Sequence, residues 1–133
     1  MMKKSIIIVL IVFILFSLGI YLVYDAIFPK AEKLSYPDFS SVDSITVSLH
    51  DVPVSINQEE CRMLYEYISA SKPTRAMSVS EAPYEKNFYS IAINWDDISC
   101  FGYIYEKQGQ TYFEIPYVAI YALDSDALKY IKK

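Results

Sequence analysis

An unbroken apolar run near the amino terminus constrains this chain more than any other feature. It extends over 19 residues, from Ile6 to Tyr24, and its only polar side chains are one serine and two tyrosines. As a helix it would be about 28 Å long, close to the thickness of the hydrocarbon layer of a bilayer. A helix of this length in a soluble core would carry a polar stripe, which this run lacks. We therefore predict a membrane-spanning helix.

The charges on either side of the run predict its orientation. Lys3 and Lys4 precede it and Asp25 follows it, so the positive-inside rule places the amino terminus in the cytoplasm. A cleaved secretory signal is the alternative, but the end of the run offers no small-residue cleavage motif. We expect residues 1–28 to form a cytoplasmic tip and a single-pass transmembrane anchor in the cell membrane. The carboxyl-terminal domain would be extracellular, either anchored or, after signal cleavage, secreted.

The rest of the chain divides into a linker and one domain. Residues 29–43 contain two prolines and show neither helical nor alternating periodicity, which is typical of a tether. Residues 44–133 are long enough for one extracytoplasmic domain. From residue 34 onward, eight basic and fourteen acidic side chains give a net charge of −6. This charge argues against binding to nucleic acid, and it leaves the anchor as the expected contact with lipid.

The domain is predicted to be α+β, with the element order β-β-α-β-β-β-β-α. Apolar and polar residues alternate from Ile45 to Leu49, as in a half-buried strand. Residues 52–56 form a second strand, which Pro53 confines to an edge. Asn57 and Glu60 form the capping-box signature of a helix start.

The remaining elements complete an antiparallel sheet with helices on one side. A last helix follows, capped by Asp124 or Ser125. Before it, we predict extended segments at residues 74–80, 88–95, 99–106 and 110–116.

The turn at residues 107–109 decides which side chains face the core. Gly109 suits the left-handed position of a three-residue hairpin loop, which would pair Tyr103 with Phe113. A two-residue loop would shift the register by one residue and exchange the faces. The core face is then expected to carry Ile91, Ile93, Phe101, Tyr103, Tyr105, Phe113 and Ile115, which requires an odd-length loop at Asp96-Asp97. The surface face is expected to carry Cys100, Ile104, Tyr112 and Glu114.

Two motifs are specific enough to compare with known families. These are Lys72-Pro73-Thr74-Arg75 after the helix and the pattern Y-x-E-x-P-Y-x-x-I-Y from Tyr112 to Tyr121. They resemble the signature of an uncharacterised bacterial family, a domain of unknown function found in small secreted or membrane-anchored proteins. The resemblance covers most of residues 44–130. This chain departs from the family's usual pattern at Ile115, where a polar residue is common, and at Ala119, where glycine is common. It implies a fold and a location, and no chemistry.

The usual carriers of catalysis do not form a recognisable pattern here. His50 is the sole histidine, and Asp96-Asp97 is more typical of a solvated turn than of a cation site. Cys61 and Cys100 could form a disulfide outside the cell. The predicted register favours two independent thiols, because it places Cys61 on the core side of the helix and Cys100 on the surface face of the sheet. We therefore expect no enzyme activity, no cofactor and no bound metal.

One set of side chains is a candidate binding site. Tyrosine hydroxyls around a carboxylate and a guanidinium could hold a small polar ligand or a peptide terminus. The structural alternative is an ion pair of Arg75 with Glu114, with the tyrosines covering the sheet. The candidate residues are Arg75, Tyr112, Glu114, Tyr117 and Tyr121.

The sequence leaves three functions open. The first is a membrane-anchored binding or accessory module that contacts another cell-envelope protein or a small polar ligand. The second is a sensing or regulatory ectodomain that acts through a partner membrane protein. The third is an extracellular hydrolase, which would need a nucleophile with a base or two facing carboxylates, and neither is visible.

Overall fold

The computed structural model describes residues 2–132, and the chain divides into two units, of which the second begins at Ala31. The first unit contains one long helix, α1, Met2–Ile27. The stretch Lys3–Ile27 is long and apolar enough to cross a membrane, and it is the one such helix among the described residues. At the start of a chain, a helix of this kind serves either as a membrane anchor or as a signal sequence.

The second unit is built on a seven-stranded antiparallel sheet, which confirms the predicted α+β class. Its strands are β1 Ser44–Leu49, β2 Val52–Pro53, β3 Lys72–Pro73, β4 Phe88–Trp95, β5 Ile98–Lys107, β6 Gln110–Ile115 and β7 Ala119–Leu123. Their spatial order is β2-β1-β4-β5-β6-β7-β3. Both edge strands are two residues long and include a proline, which limits pairing with another chain.

The predicted strand at residues 74–80 is wrong. Pairing on this side of the sheet ends at Pro73, which lies opposite Tyr121. The Thr74 hydroxyl then donates to the carbonyl oxygen of Ile120 at 2.5 Å, in place of a backbone amide. This side-chain bond competes with the ladder, so regular strand pairing stops, although the chain still runs beside β7 as far as Ala76, whose carbonyl oxygen accepts from the Ile120 amide. The sheet instead gains β7, which pairs with β6.

Helix α2, Gln58–Ser69, packs on one face of the sheet, which we call the inner face. Its predicted capping box is present, with the Glu60 amide donating to Asn57 Oδ1 at 2.9 Å and the Asn57 amide donating to Glu60 Oε2 at 2.8 Å. The predicted apolar stripe is buried at Leu64, Tyr65 and Ile68.

A short 3₁₀ helix, Ser125–Tyr130, packs on the same face beside α2. It takes the place of the predicted final helix. Asp124 is its cap, since the Asp124 side chain accepts from the Asp126 amide at 2.9 Å. Leu128 and Ile131 are buried, as predicted.

The β5–β6 hairpin has a two-residue loop, so the predicted three-residue loop is wrong. Lys107 pairs with Gln110, and the two loop residues both have positive φ, 51° at Gln108 and 76° at Gly109. This is the backbone of a type I′ turn, whose twist matches the twist of the flanking strands. The strain of a left-handed glutamine is therefore tolerated in exchange for a well-twisted hairpin.

The shorter loop reverses the predicted faces of β5. Ile104 lies opposite Phe113, and both are fully buried on the inner face. The β4–β5 loop is also two residues long, because Trp95 pairs with Ile98. The inner face therefore carries Ile91, Ile93, Cys100, Ile104, Phe113 and Ile115, whereas Phe101, Tyr103, Tyr105, Tyr112 and Glu114 belong to the opposite, outer face.

Gly102 makes this arrangement possible on the inner face. A Cβ atom at this position would lie 2.5 Å from the Phe113 ring and 2.9 Å from the Glu114 carbonyl oxygen. The ring therefore occupies the space that a side chain on β5 would need.

Residues 31–43, which we call the strap, pack against the domain core, although the sequence predicts a linker over residues 29–43. The Ala31 amide donates to the Thr74 carbonyl oxygen at 3.1 Å. The Tyr121 hydroxyl donates to the Glu32 carbonyl oxygen at 3.0 Å. Several strap side chains are partly buried on the core, namely Ala31, Leu34, Tyr36, Phe39 and Val42. The strap is thus part of the compact unit that contains the sheet.

Candidate functional site

The outer face of the sheet holds two of the predicted site residues. Tyr112 and Glu114 come from β6 and alternate with the buried Phe113, so they face away from α2. Tyr105 lies directly opposite Tyr112, with ring centroids 5.8 Å apart. Tyr103 lies directly opposite Glu114. A carboxylate and three phenols therefore meet on neighbouring strands.

Glu114 is the polar centre of this group. Its side chain is only 4% exposed, although it lies on the face without helices. The segment at residues 74–87, which we call the cover, crosses this part of the sheet. From the cover, the Ser78 hydroxyl donates to Glu114 Oε1 at 2.6 Å. A buried carboxylate requires such donors, because its desolvation is costly.

Tyr105 supplies a second hydroxyl to the same carboxylate. Burial raises the pKa of Tyr105, and the hydrogen bond to Glu114 raises it further. The phenol therefore stays protonated and serves as a donor over the ordinary pH range. This geometry fastens the cover to the sheet; it offers neither an activated nucleophile nor a pair of facing carboxylates.

Tyr117 and Tyr121 lie apart from this group. Tyr117 is an exposed residue with φ of 60° in the β6–β7 turn, and its amide donates to Ser78 Oγ at 3.0 Å. Tyr121 is on the inner face, directly opposite Phe113, and its hydroxyl holds the strap. The predicted site therefore separates into an outer pair, an exposed turn residue and a buried core residue.

Arg75, the fifth predicted site residue, is half-buried at the start of the cover. It follows Thr74, which bonds the Ile120 carbonyl oxygen, and precedes Ala76, whose carbonyl oxygen accepts from the Ile120 amide at 3.2 Å. Its backbone thus runs beside β7. The hydroxyls of Ser78 and Tyr105, which the sequence did not group with this site, both bond the Glu114 carboxylate.

Phe101 and Tyr103, which the sequence assigned to the core, lie instead on the outer face. Phe88 and Tyr103 meet edge to face with ring centroids 5.0 Å apart, and Tyr103 and Phe101 do the same at 5.1 Å. We call these three residues the aromatic row. Phe101, at the end of the row, is 46% exposed. The two-residue interpretation of Gln108-Gly109 was the sequence signal that could have found them.

The two cysteines and the histidine are further candidates for chemistry. Cys61 and Cys100 are both free thiols, as the sequence favoured. Cys100 Sγ lies 3.0 Å from the Tyr36 hydroxyl oxygen, and burial raises the pKa of the Cys100 thiol. His50 follows β1 in a left-handed conformation, and its ring contacts the Phe88 ring edge to face. Among residues 2–132, no group of three acidic, histidine or cysteine side chains could hold a metal ion.

Comparison with known proteins identifies the domain but not its activity. The family model DUF5301, described as "Domain of unknown function (DUF5300)", matches residues 30–122. The match includes the strap and both motifs noted in the sequence. No curated protein matches the chain, and no solved structure does. Because the matched region covers more than half of its length, the chain belongs to the DUF5301 family of domains of unknown function.

Proposed function

We propose that this chain is a membrane-anchored, extracytoplasmic binding module whose partner docks on the outer face of the sheet. The observation that carries the proposal is the exposure of Phe101 at the end of a fixed aromatic row. Aromatic side chains are enriched at recognition surfaces because they offer a large contact area at a low cost in conformational entropy. Helix α2 and the 3₁₀ helix Ser125–Tyr130 pack on the inner face, so the outer face is the broad surface left for a partner.

The outer face has a covered half and an open half. The cover lies over Glu114, whereas β1, β4 and the start of β5 present mainly small side chains. Register places Thr46, Ala92 and Phe101 side by side across these three strands. We call the small residues beside Phe101 the open platform: Ser44, Thr46, Ser48, Ser90, Ala92, Asn94 and Ser99. A surface of small side chains next to the exposed Phe101 ring suits an extended peptide segment better than a small polar ligand, which needs a concave site.

The proposed location follows from helix α1. Lys3 and Lys4 before the apolar segment favour a cytoplasmic amino terminus and a domain outside the membrane. Protease added to intact cells should digest residues 31–133, and an intact mass measurement of the purified chain should still include the helix. Digestion only after lysis would reverse the topology. A mass lacking the first residues would replace the anchor by a cleaved signal.

The binding proposal is tested by site-specific photo-crosslinking in membranes of cells that produce the chain. In one variant, Phe101 is replaced by benzoylphenylalanine, a photoreactive derivative of phenylalanine. In the matched control, benzoylphenylalanine replaces Gln58, which is exposed at the start of α2. We expect a discrete crosslinked species from position 101 and none from position 58.

Two results would contradict this proposal. Equal yields at both positions would indicate random collision, and no product at position 101 would remove the outer face as the binding surface. Crosslinks from positions in α1, such as Gly19, without any from position 101 would favour the alternative of a sensing or regulatory ectodomain that acts through a partner membrane helix.

A further inference from the structure

The aromatic row is held in one orientation. Tyr103 makes edge-to-face contacts with both Phe88 and Phe101, at interplanar angles of 80° and 82°. Edge-to-face packing is a preferred geometry of aromatic pairs, so the rings support one another. On the far side of the row, the His50 ring contacts Phe88 at 6.3 Å. The exposed ring of Phe101 therefore presents a fixed surface beside the open platform.

Carboxylates border the row at one end of the sheet. Asp51 and Glu81 are both exposed, and both act electrostatically on the Tyr103 hydroxyl, as does the buried Glu114. Asp51 lies in the turn between β1 and β2, and Glu81 belongs to the cover. Lys86 precedes Phe88 at the same end. The net charge of these residues is therefore negative.

Carboxylates also border the opposite end of the platform. Asp96 and Asp97 form the β4–β5 turn and are exposed. Asp43 precedes β1, and its amide donates to the Asn94 carbonyl oxygen at 2.8 Å, which places it at the same end. Between the two ends, β1 rises by about 17 Å, the length of an extended segment of roughly five residues.

We infer that the partner docks an extended, lysine- or arginine-rich peptide segment on the open platform, between the carboxylates at its two ends. This inference rests on the proposed function and adds the chemistry of the partner. Cationic side chains are attracted to aromatic faces such as that of Phe101. Their aliphatic stems pack on apolar surface while the charged ends reach carboxylates.

The same charges disfavour other occupants. A nucleic acid or an anionic lipid surface would meet Asp51, Glu81, Asp96 and Asp97 with like charge. A second copy of the chain would present the same acidic border, so a symmetric pairing of two platforms would bring like charges together. A basic segment is the macromolecular ligand that fits both the rings and the charges.

The test uses the full chain in nanodiscs of zwitterionic phosphatidylcholine, so that the probe has no anionic lipid to bind. The probe is a fluorescein-labelled heptapeptide of alternating lysine and alanine, which presents its lysines on one side when extended. A second heptapeptide carries glutamate in place of lysine. We expect fluorescence anisotropy to show binding of the lysine peptide alone, with an affinity that falls steeply as salt rises to about 1 M.

Three variants locate the binding on the platform. Phe101→Ala should weaken binding about threefold, as expected for the loss of one exposed cation–π contact. The double variant Asp51→Asn/Glu81→Gln should weaken it by about threefold to tenfold. The matched control is Glu59→Gln/Glu66→Gln, which makes the same change in net charge on α2 and should leave the affinity within about a factor of two.

Several outcomes overturn the inference. Equal loss in the α2 double variant would mean attraction by net charge alone. Binding of the glutamate peptide, or binding of neither peptide, would exclude a basic segment as the partner. If position 101 still crosslinks to a protein in cells, the binding module stands and only the partner's chemistry is wrong; if it does not, the proposed function itself fails.

Discussion

The Ser78 hydroxyl donates a 2.6 Å hydrogen bond to the buried carboxylate of Glu114, across 36 positions of the chain. Ser78 also accepts from the Tyr117 amide at 3.0 Å, so one hydroxyl joins the cover, the sheet and the β6–β7 turn. Because Glu114 is 4% exposed, its carboxylate depends on donors such as the hydroxyls of Ser78 and Tyr105 in place of water. This contact gives the glutamate of the Y-x-E-x-P-Y motif a structural role that does not require a ligand.

Ser78→Ala should therefore lower the free energy of unfolding by about 1–3 kcal/mol, because it leaves a buried carboxylate short of a donor. Urea unfolding of the full chain in mild detergent measures this, and faster proteolysis of residues 74–87 should accompany it. Ser99→Ala, at an exposed position of the outer face, should change the stability by less than about 0.5 kcal/mol. Equal effects of the two substitutions would show that Glu114 finds another partner.

The two-residue hairpin loop makes a prediction of its own. Gln108→Asn should stabilise the domain by about 0.5–1 kcal/mol, because asparagine accepts the left-handed conformation of a type I′ turn better than glutamine does. Gly109→Ala should destabilise it by a similar amount, since its φ of 76° strains any residue with a Cβ atom. In a three-residue loop, residue 108 would be right-handed, and the Gln108→Asn variant would not be stabilised. Urea midpoints of the two variants decide between the loops.

Gly102→Ala should cost about 1–3 kcal/mol through overpacking against Phe113. Combining it with Phe113→Leu, which removes the obstructing ring atoms, should cost less than the sum of the two single substitutions. A double-mutant cycle of unfolding free energies measures this coupling. Strict additivity would mean that the Phe113 ring moves aside freely.

The strap depends on tyrosine hydroxyls. Tyr121→Phe keeps the ring beside Phe113 and removes only the hydrogen bond to the Glu32 carbonyl oxygen. The expected cost is about 1 kcal/mol, with faster amide exchange over residues 31–36 in the full chain. Tyr117→Phe, at an exposed position, is the matched control and should leave the exchange rates unchanged. Unaltered exchange in the Tyr121 variant would show that side-chain packing alone holds the strap.

Stability should fall at alkaline pH because of Tyr105. Burial and Glu114 raise its pKa in the folded state, so the unfolded chain loses this proton first as the pH rises. The stabilising contribution is therefore complete below pH of about 10 and declines above it, by up to about 1.4 kcal/mol per pH unit. Tyr105→Phe should make the decline shallower by up to this amount. Urea unfolding at a series of pH values from about 9 to 12 tests the difference in slope. An identical slope in the variant would contradict this assignment.

Local patterns in the sequence were enough to predict several elements. The apolar run, the Asn57–Glu60 capping box, the buried stripe of α2 and the alternation in β1 depend on neighbours within a few residues. Residues that close in the chain interact in the same way in almost any fold, so their spacing predicts the element directly.

The faces of β5 could not be predicted with the same security. A difference of one residue in the loop at Gln108 decides whether Phe101 or Cys100 meets the core, because side chains alternate along a strand. Both faces of β5 are rich in large apolar residues, so hydrophobicity did not choose between them. The Phe113 ring fills the space that a side chain at position 102 would need, so the face of β5 that carries Gly102 is the one that packs against this ring.

Patterns in the sequence were sufficient to predict a membrane-compatible helix, an acidic α+β domain and the helix that begins at Gln58. The folded domain was needed to show that residues 31–43 pack on the core, that Tyr121 and Glu114 lie on opposite faces, and that Phe101 is exposed. The physical reason is that these properties depend on contacts between residues far apart in the chain, such as Tyr121 with Glu32 and Ser78 with Glu114. The spacing of residues along the chain does not predict such contacts, because they form only when the strands pair in register and the two faces of the sheet become distinct.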